Sequence, residues 1–297
     1  MGLRFCTDYR KVNAVTVPDC YPLPRMEDCV DSVRSARFVT KLDLLKGYWQ
    51  VPLTDRASDI SAFVTPDCFM QYNIMAFGLR NAPATFQRLI QTVLAGVPNC
   101  KAYLDDLVIF SDIWGEHLSV LHAVFSRLRD AYLTLNLAKC VFGQATVVYL
   151  GKQVGQGEVK PVEEKVVAIT KFPVPTARRE LRRFLGMVGY YRNFCKNFST
   201  VVTPLTNLLS PKQHFLWTNE CQIAFETVKA LLCNSPVLAA PRFDVPFKLE
   251  VDASAVGAGA VLLQEDVDGV EHPVCFFSFR VNLISIKQII LLSKRKP

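Results

Sequence analysis

From Lys101 to Phe110 the chain reads Lys-Ala-Tyr-Leu-Asp-Asp-Leu-Val-Ile-Phe, an apolar run rich in aromatic and β-branched residues and broken at its centre by two adjacent carboxylates. The flanks predict two short strands that turn at the acidic pair. Thr40-Lys41-Leu42-Asp43-Leu44 has the same form, a strand ending on a carboxylate. Elsewhere the spacing is helical. After Asn81-Ala82-Pro83 the apolar residues Phe86, Leu89, Ile90, Val93 and Leu94 fall on one stripe, closed by Gly96. A second helix is predicted from about Glu116 to Ala131, with Leu118, Leu121, Phe125 and Leu128 turned inward. Thr176, which follows Pro173 and Pro175, is the candidate N-cap of another helix. Strand and helix alternating around the acidic segments predict an α/β or α+β layer with helices beneath a sheet. Residues 155–235 read as mostly helical. From Val237 to Leu263 strands return, with Asp252 closing Phe247-Lys248-Leu249-Glu250-Val251.

The 297 residues are half hydrophobic, enough for two or three domains that each bury a core. No apolar run approaches a membrane span, so no membrane partner is expected, and the first residues do not read as a signal peptide. Met1-Gly2 with Cys6 also departs from the myristoylation pattern. The ten cysteines are scattered without a Cys-x-x-Cys pair, which argues against metal fingers and for a reduced intracellular compartment, cytoplasm or nucleus. His117 and His122 lie five apart on a predicted helix and share no face, which argues against a zinc pair. A net charge of +7 favours a polyanionic partner.

Two carboxylates side by side repel, and a fold that builds them into a hairpin needs compensation of the kind a hard divalent cation supplies. With Asp43 on a neighbouring strand, three acids could hold two metals roughly 3.5–4 Å apart, the arrangement of in-line phosphoryl transfer. A solvated turn is the other reading of an isolated Asp-Asp pair. Positive charge gathers at residues 155–200, with nine Lys or Arg against four Glu. There Arg178, Arg179, Arg182, Arg183 and Arg192, interleaved with Phe184, Tyr190 and Tyr191, suit a surface that grips a nucleic-acid backbone. A solvated helix face is the plain alternative.

Several segments then occur in a characteristic order: Arg4–Asn13, Lys41-Leu42-Asp43-Leu44-Leu45-Lys46-Gly47-Tyr48-Trp49-Gln50, Phe77–Gln87, Tyr103-Leu104-Asp105-Asp106, Leu135–Cys140, Tyr149-Leu150-Gly151, Leu181–Gly186, Tyr190–Phe194 and Val251-Asp252-Ala253-Ser254. Over roughly residues 3–280 the chain resembles the reverse transcriptases of gypsy-type LTR retrotransposons and related retroviral Pol polyproteins. The resemblance implies an α+β polymerase right hand. Partial fingers and palm would occupy 1–153, a helical thumb or connection 154–235, and the N-terminal part of a ribonuclease H-like α/β domain 236–297. It implies an RNA-directed DNA polymerase that takes an RNA or DNA template with primer, deoxynucleoside triphosphates and two Mg²⁺ ions, with Mn²⁺ as a substitute; its oligomeric state is left open. Asp43, Asp105 and Asp106 would be the catalytic metal ligands, assisted by the carbonyl of Leu44. Arg4 would contact the triphosphate, Lys46 and Gly47 would offer backbone N–H groups to the phosphates, Tyr48 would be the steric gate against a 2′-hydroxyl, and Phe77 would pack on the nucleotide. Tyr149, Leu150 and Gly151 would form the primer grip, and Arg178, Arg179, Arg182, Arg183 and Arg192 would hold the duplex by its phosphates.

Asp252 resembles the first metal ligand of the ribonuclease H-like domain, whose later acids are not present before Pro297. The tail from about residue 280 departs from the family pattern as an out-of-frame reading would. No fingers strand precedes Arg4, which predicts an unpaired strand edge near residues 4–10, and Ala76 stands where a proline is usual. The alternative to an active polymerase is a non-catalytic, nucleic-acid-binding remnant of a transposon copy. No Asp-Thr/Ser-Gly triplet or His-His-Cys-Cys spacing indicates a protease or integrase.

Overall fold

The structure, a computed structural model, describes residues 6–33, 35–234, 237–253 and 257–280. Two compact units divide the chain, Met1–Leu150 with Val154–Gln156, and Gly151–Gln153 with Gly157–Pro297. The first contains α1 (Arg10–Val15), α2 (Met26–Val33), β1 (Phe38–Asp43), α3 (Asp55–Ile60), β2 (Phe63–Val64), β3 (Phe69–Met70), α4 (Ala82–Val93), β4 (Cys100–Tyr103), β5 (Asp106–Ser111), α5 (Trp114–Asp130), β6 (Val141–Gln144) and β7 (Val147–Tyr149). Helices are interleaved with strands that pair antiparallel, an α+β arrangement.

The acidic strands lie at the centre of an antiparallel sheet ordered β4-β5-β1-β6. Side chains alternate across such a sheet. On one face Leu42 opposes Leu107, and both join Ile109, Phe86 and Ile90 of α4, and Val120, Val124 and Leu128 of α5 in one buried core. Burying each Leu, Ile or Phe contributes about 1.5–3 kcal/mol. A one-residue slip would turn the apolar set out and the acids in, so this core also fixes the register. The stripe predicted for α4 is the one observed, opened by Pro83 in the first turn.

The stripe of α5 is rotated from expectation. His117, Val120, Val124 and Leu128 face inward, whereas Leu118 and Phe125 are exposed. A polar residue, His117, belongs to the inward face. Its Nε2 lies 2.8 Å from the Thr40 hydroxyl and its Nδ1 2.9 Å from that of Ser111, so the imidazole spans β1 and β5. Thr40 Oγ1 also accepts the Gly143 N–H from β6 at 3.0 Å. The strand edge expected near residues 4–10 is not seen in its described part. Residues 6–9 form no strand and a helix begins at Arg10. Residues 1–5 lie outside the described residues, as does the tail from 281 on which the frame expectation falls.

In the second unit β8 (Lys152–Gly155), which straddles the division, is followed by β9 (Glu158–Pro161), so strands and not helix open the stretch read as helical. Then come α6 (Glu163–Thr170), α7 (Arg178–Gly189), α8 (Phe198–Val201), α9 (Thr203–Asn207), α10 (Asn219–Cys233), β10 (Leu238–Ala239), β11 (Lys248–Ala253), β12 (Gly257–Glu265) and β13 (Glu271–Arg280). An aromatic cluster of Phe172, Phe184, Trp217 and Phe225 packs the helices together. Ala177, not Thr176, is the N-cap of α7. Thr176 instead donates through its N–H and hydroxyl to the Glu180 carboxylate, at 2.8 and 2.9 Å. The last three strands form an antiparallel sheet ordered β11-β12-β13, and β11 runs on through Asp252 to Ala253.

Burial pushes the His117 pKa down, so the fold holds the neutral ring. A depressed histidine stabilises the fold fully above its unfolded value of 6.5 and loses that contribution as the pH falls below it. Replacement His117→Ala should cost about 1–3 kcal/mol by leaving the buried Ser111 hydroxyl without its imidazole partner and the Thr40 hydroxyl with the Gly143 N–H alone. It should also flatten the decline of melting temperature between neutral pH and the acid side of 6.5. Calorimetry across that range checks both effects.

Candidate active site

Asp43, the last residue of β1, directly opposes Asp106, the first residue of β5. Side-chain alternation puts both carboxylates on the sheet face opposite Leu42 and Leu107. Asp105 sits in the two-residue turn between β4 and β5 behind Leu104, whose φ of +54° lies in the left-handed region. A leucine held there costs about 1–2 kcal/mol, so the turn needs other ties. One is the Leu44 N–H, which donates to the Asp105 carbonyl at 3.0 Å. The other comes from α4. The Gln87 amide accepts from the Leu104 N–H at 2.7 Å and donates to the Ala102 carbonyl at 3.0 Å.

Three carboxylates thus stand at one end of the sheet. Burial raises the pKa of Asp105, and the charges of Asp106 and Asp43 raise it further. Two lysines offset the charge. Lys41 Nζ lies 3.1 Å from Asp106 Oδ1, and Lys139 Nζ lies 3.4 Å from Asp43 Oδ2. With the outer carboxylates turned onto lysines, no three His, Cys, Asp or Glu side chains among the described residues are already arranged to hold an ion. The donor set itself is the one a hard cation takes, carboxylate oxygens plus the nearby Leu44 carbonyl. The residues present fit Mg²⁺ or Mn²⁺ chemistry once the lysines give way.

The loop after β1 completes the surroundings. Lys46 is exposed, with φ +56° and its ammonium 4.8 Å above the Trp49 ring. Gly47 has φ +28°, and a Cβ there would come within 3.3 Å of Asp105 Cβ. Its N–H reaches the Leu44 carbonyl only at 3.5 Å. Tyr48 packs between Phe77 and Phe86, at 5.2 and 5.5 Å between ring centroids. Burial raises its phenol pKa, and the Asp105 charge adds to the shift. Gln50 anchors the far end of the loop. Its Nε2 donates to the Leu45 carbonyl at 2.7 Å, and its Oε1 accepts the Thr134 N–H at 2.6 Å. The structure therefore gathers Asp43, Leu44, Lys46, Gly47, Tyr48, Phe77, Asp105 and Asp106. Arg4 lies outside the described residues.

Two sequence expectations need correction. The Tyr149 side chain is fully buried, because alternation along β7 turns Val147 and Tyr149 inward and Val148 outward. Its ring has no surface to offer a primer, and only the turn that follows it, with Leu150 at φ +44° and Gly151 at φ +70°, could do so. Arg178 is not a free cation on the second unit. Its guanidinium donates to the carbonyls of Leu208 and Ser210, each at 3.1 Å, and to that of Gln213. Arg179, Arg182, Arg183 and Arg192 are exposed, and Arg183 lies 5.9 Å from the Phe172 ring. Asp252 borders an open cleft with Lys196, Asn197 and Glu250. Sequence reasoning missed Gln87, Gln50, Lys41 and Lys139. Gln87 alone left a signal, a polar residue set between the buried Phe86 and Ile90.

Comparison with known proteins follows the same division. Residues 2–154 match the family model described as reverse transcriptase (RNA-dependent DNA polymerase), and residues 217–288 match an RNase H-like domain found in reverse transcriptase. The retrovirus-related Pol polyprotein from transposon 297 of Drosophila melanogaster is 40% identical over 283 residues, covering 94% of this chain and 26% of that protein. That from transposon opus, of the same organism, is 36% identical, covering 94% and 29%. The Tf2-3 transposon polyprotein of Schizosaccharomyces pombe is 34% identical, covering 94% and 21%. The chain spans about a quarter of the length of these curated relatives. Among solved structures, the foamy viral protease-reverse transcriptase dRH in complex with double-stranded DNA superposes with a TM-score of 0.85 at 22% identity, over 98% of this chain and 53% of that one. The foamy viral protease-reverse transcriptase in complex with an RNA/DNA hybrid gives 0.83 at 22% identity, over 97% and 41%. At this identity the likeness is one of fold.

Crowding three acids has a measurable cost. A carboxyl with a raised pKa favours the fold when protonated and opposes it once ionised, so its penalty grows as the pH rises through the raised value. Asp105→Asn should therefore stabilise the metal-free chain at neutral pH, by up to about 1 kcal/mol, the size of a like-charge contact across strands. The same variant should lose the rise in melting temperature that Mg²⁺ gives the wild type, as read by calorimetry in chelator and in excess Mg²⁺.

Proposed function

The chain belongs to the reverse transcriptase family found in retrotransposon Pol polyproteins, and on that footing we propose that it extends a primer on an RNA or DNA template with deoxynucleoside triphosphates. The observation that carries this reading is the direct opposition of Asp43 and Asp106 with Asp105 in the adjoining turn. In the reaction the primer 3′-hydroxyl attacks the α-phosphate and pyrophosphate leaves. Asp43, Asp105, Asp106 and the Leu44 carbonyl would hold two Mg²⁺ ions, or Mn²⁺ in their place. Bound there, such ions supply neutralisation of the charge that develops on the phosphoryl oxygens.

The remaining residues orient and select. Gly47 lets the triphosphate approach the Asp105 turn closely. Tyr48, held between Phe77 and Phe86, presents a ring that crowds a 2′-hydroxyl, and Phe77 packs against the incoming nucleotide. Arg4 and the backbone of Lys46 and Gly47 would contact phosphates. The turn at Leu150 and Gly151 would set the primer end. We assign residues 1–153 to fingers and palm, 154–235 to thumb or connection, and 236–297 to a ribonuclease H-like stretch in which Asp252 would be a metal ligand. Arg179, Arg182, Arg183 and Arg192 would hold the duplex through its phosphates. The protein would act inside the cell, in cytoplasm or nucleus.

Primer extension on an RNA template tests the assignment. The wild-type chain should extend in Mg²⁺ and stop in chelator, and Asp105→Asn should reduce the rate at least about 100-fold, equivalent to roughly 2.7 kcal/mol. Equal extension by both proteins would reject catalysis at this site. The arginines separate in a salt titration of duplex binding. Arg182→Ala should lower the slope of log K against log salt by about 1 without changing stability. Arg178→Ala should leave the slope unchanged and lower the melting temperature, because its hydrogen bonds are internal.

A further inference from the structure

The acidic turn is tied to α4 by one side chain to which the polymerase reading gives no task. Gln87 is fully buried, between Phe86 and Ile90 on the stripe where α4 meets the sheet. An apolar residue would fill that place at lower desolvation cost. The amide instead uses both its ends, accepting from the Leu104 N–H at 2.7 Å and donating to the Ala102 carbonyl at 3.0 Å. These two backbone groups lie on either side of Tyr103, where the hairpin leaves its ladder and enters the left-handed Leu104. The bracket therefore grips the backbone step that precedes Asp105. On its other side the turn is held by the Leu44 N–H, at 3.0 Å from the Asp105 carbonyl.

We propose that Gln87 is a positioning residue that sets where the Asp105 carboxylate stands relative to Asp43 and Asp106. It touches neither substrate nor metal and acts through the backbone of Leu104. The inference rests on the polymerase reading, since it gives the placement of Asp105 its importance. Without the bracket, Leu104 N–H and the Ala102 carbonyl lose their partner, and the turn keeps only the Tyr103–Asp106 ladder pair and the Leu44 bond. The core around Phe86 and Ile90 is untouched, so the consequence falls on geometry more than on folding. A displacement of about 1 Å at a catalytic group is enough to cost about 100-fold in rate.

The test compares wild type, Gln87→Met, Gln87→Glu and the control Asp105→Asn. Met fills the same volume without polar atoms, and Glu keeps the acceptor for Leu104 while losing the donor to Ala102. Single-turnover extension should fall about 10- to 100-fold in the Met variant, with the KM for the nucleotide within about threefold of wild type and a higher half-saturating Mg²⁺ concentration. The Glu variant should fall between the two. Amide exchange in the peptide spanning residues 100–106 should be faster in both variants while α5 exchanges as before. A folded Met variant with wild-type rate, Mg²⁺ midpoint and exchange overturns the inference. So does a rate loss matched by an equal loss of folded protein. A Met variant that fails to fold overturns the claim that geometry carries the effect, unless the folded Glu variant shows the expected loss and faster local exchange. No extension by wild type would count against the polymerase reading instead, and the exchange comparison, which needs no activity, still decides whether Gln87 holds the turn.

Discussion

Mutual repulsion among Asp43, Asp105 and Asp106 is the constraint on which the first unit depends. Water would let such charges separate, but a fold that must keep them together has to fix their positions by other means. Register supplies the first of these. Leu42 against Leu107 on the buried face dictates Asp43 against Asp106 on the other, so the energy of the core is spent in part on holding like charges together. The second is local charge compensation by Lys41 and Lys139. The third is the tethering of the turn from two directions, by Leu44 and by Gln87. His117 belongs to the same scheme at the far end of the strands, where it bridges β1 and β5 and discourages one from sliding along the other.

How much of this could be read in the sequence depended on the range of the interaction. The acidic hairpin, the strand before Asp43 and the stripe of α4 are written in local alternation, and all three stand as read. The inward face of α5 was misread because local pattern ranks leucine and phenylalanine above histidine. Of the two hydroxyls that accommodate His117, Ser111 is six residues away at the end of β5, but Thr40 comes from β1, 77 residues upstream. Tyr149 entered the primer-grip expectation with Leu150 and Gly151 because a family motif reports position and not the direction of a side chain. Arg178 was counted among the exposed cations although the carbonyls that occupy it lie some thirty residues downstream. Lysines 41 and 139 went unnoticed as counterions for the same reason, since their partners are set by folding and not by spacing.

The two arginine outcomes on α7 also show why charge counts alone mislead. Arg178 and Arg179 are adjacent and chemically identical, yet one is consumed by backbone carbonyls within its own unit and the other faces solvent. A basic cluster in sequence is thus an upper limit on the cations available to a phosphate backbone, and the limit is lowered wherever a helix end nearby has carbonyls to satisfy.

The Gly47 geometry bears on how such a sequence drifts. Lys46 beside it is exposed, so exchanges there can accumulate with little penalty, while any Cβ at Gly47 is fixed by the backbone and cannot rotate away from Asp105. The two neighbouring positions are therefore under very different steric constraint. A side chain added at the second would press on the acidic turn itself, whereas one exchanged at the first would meet solvent.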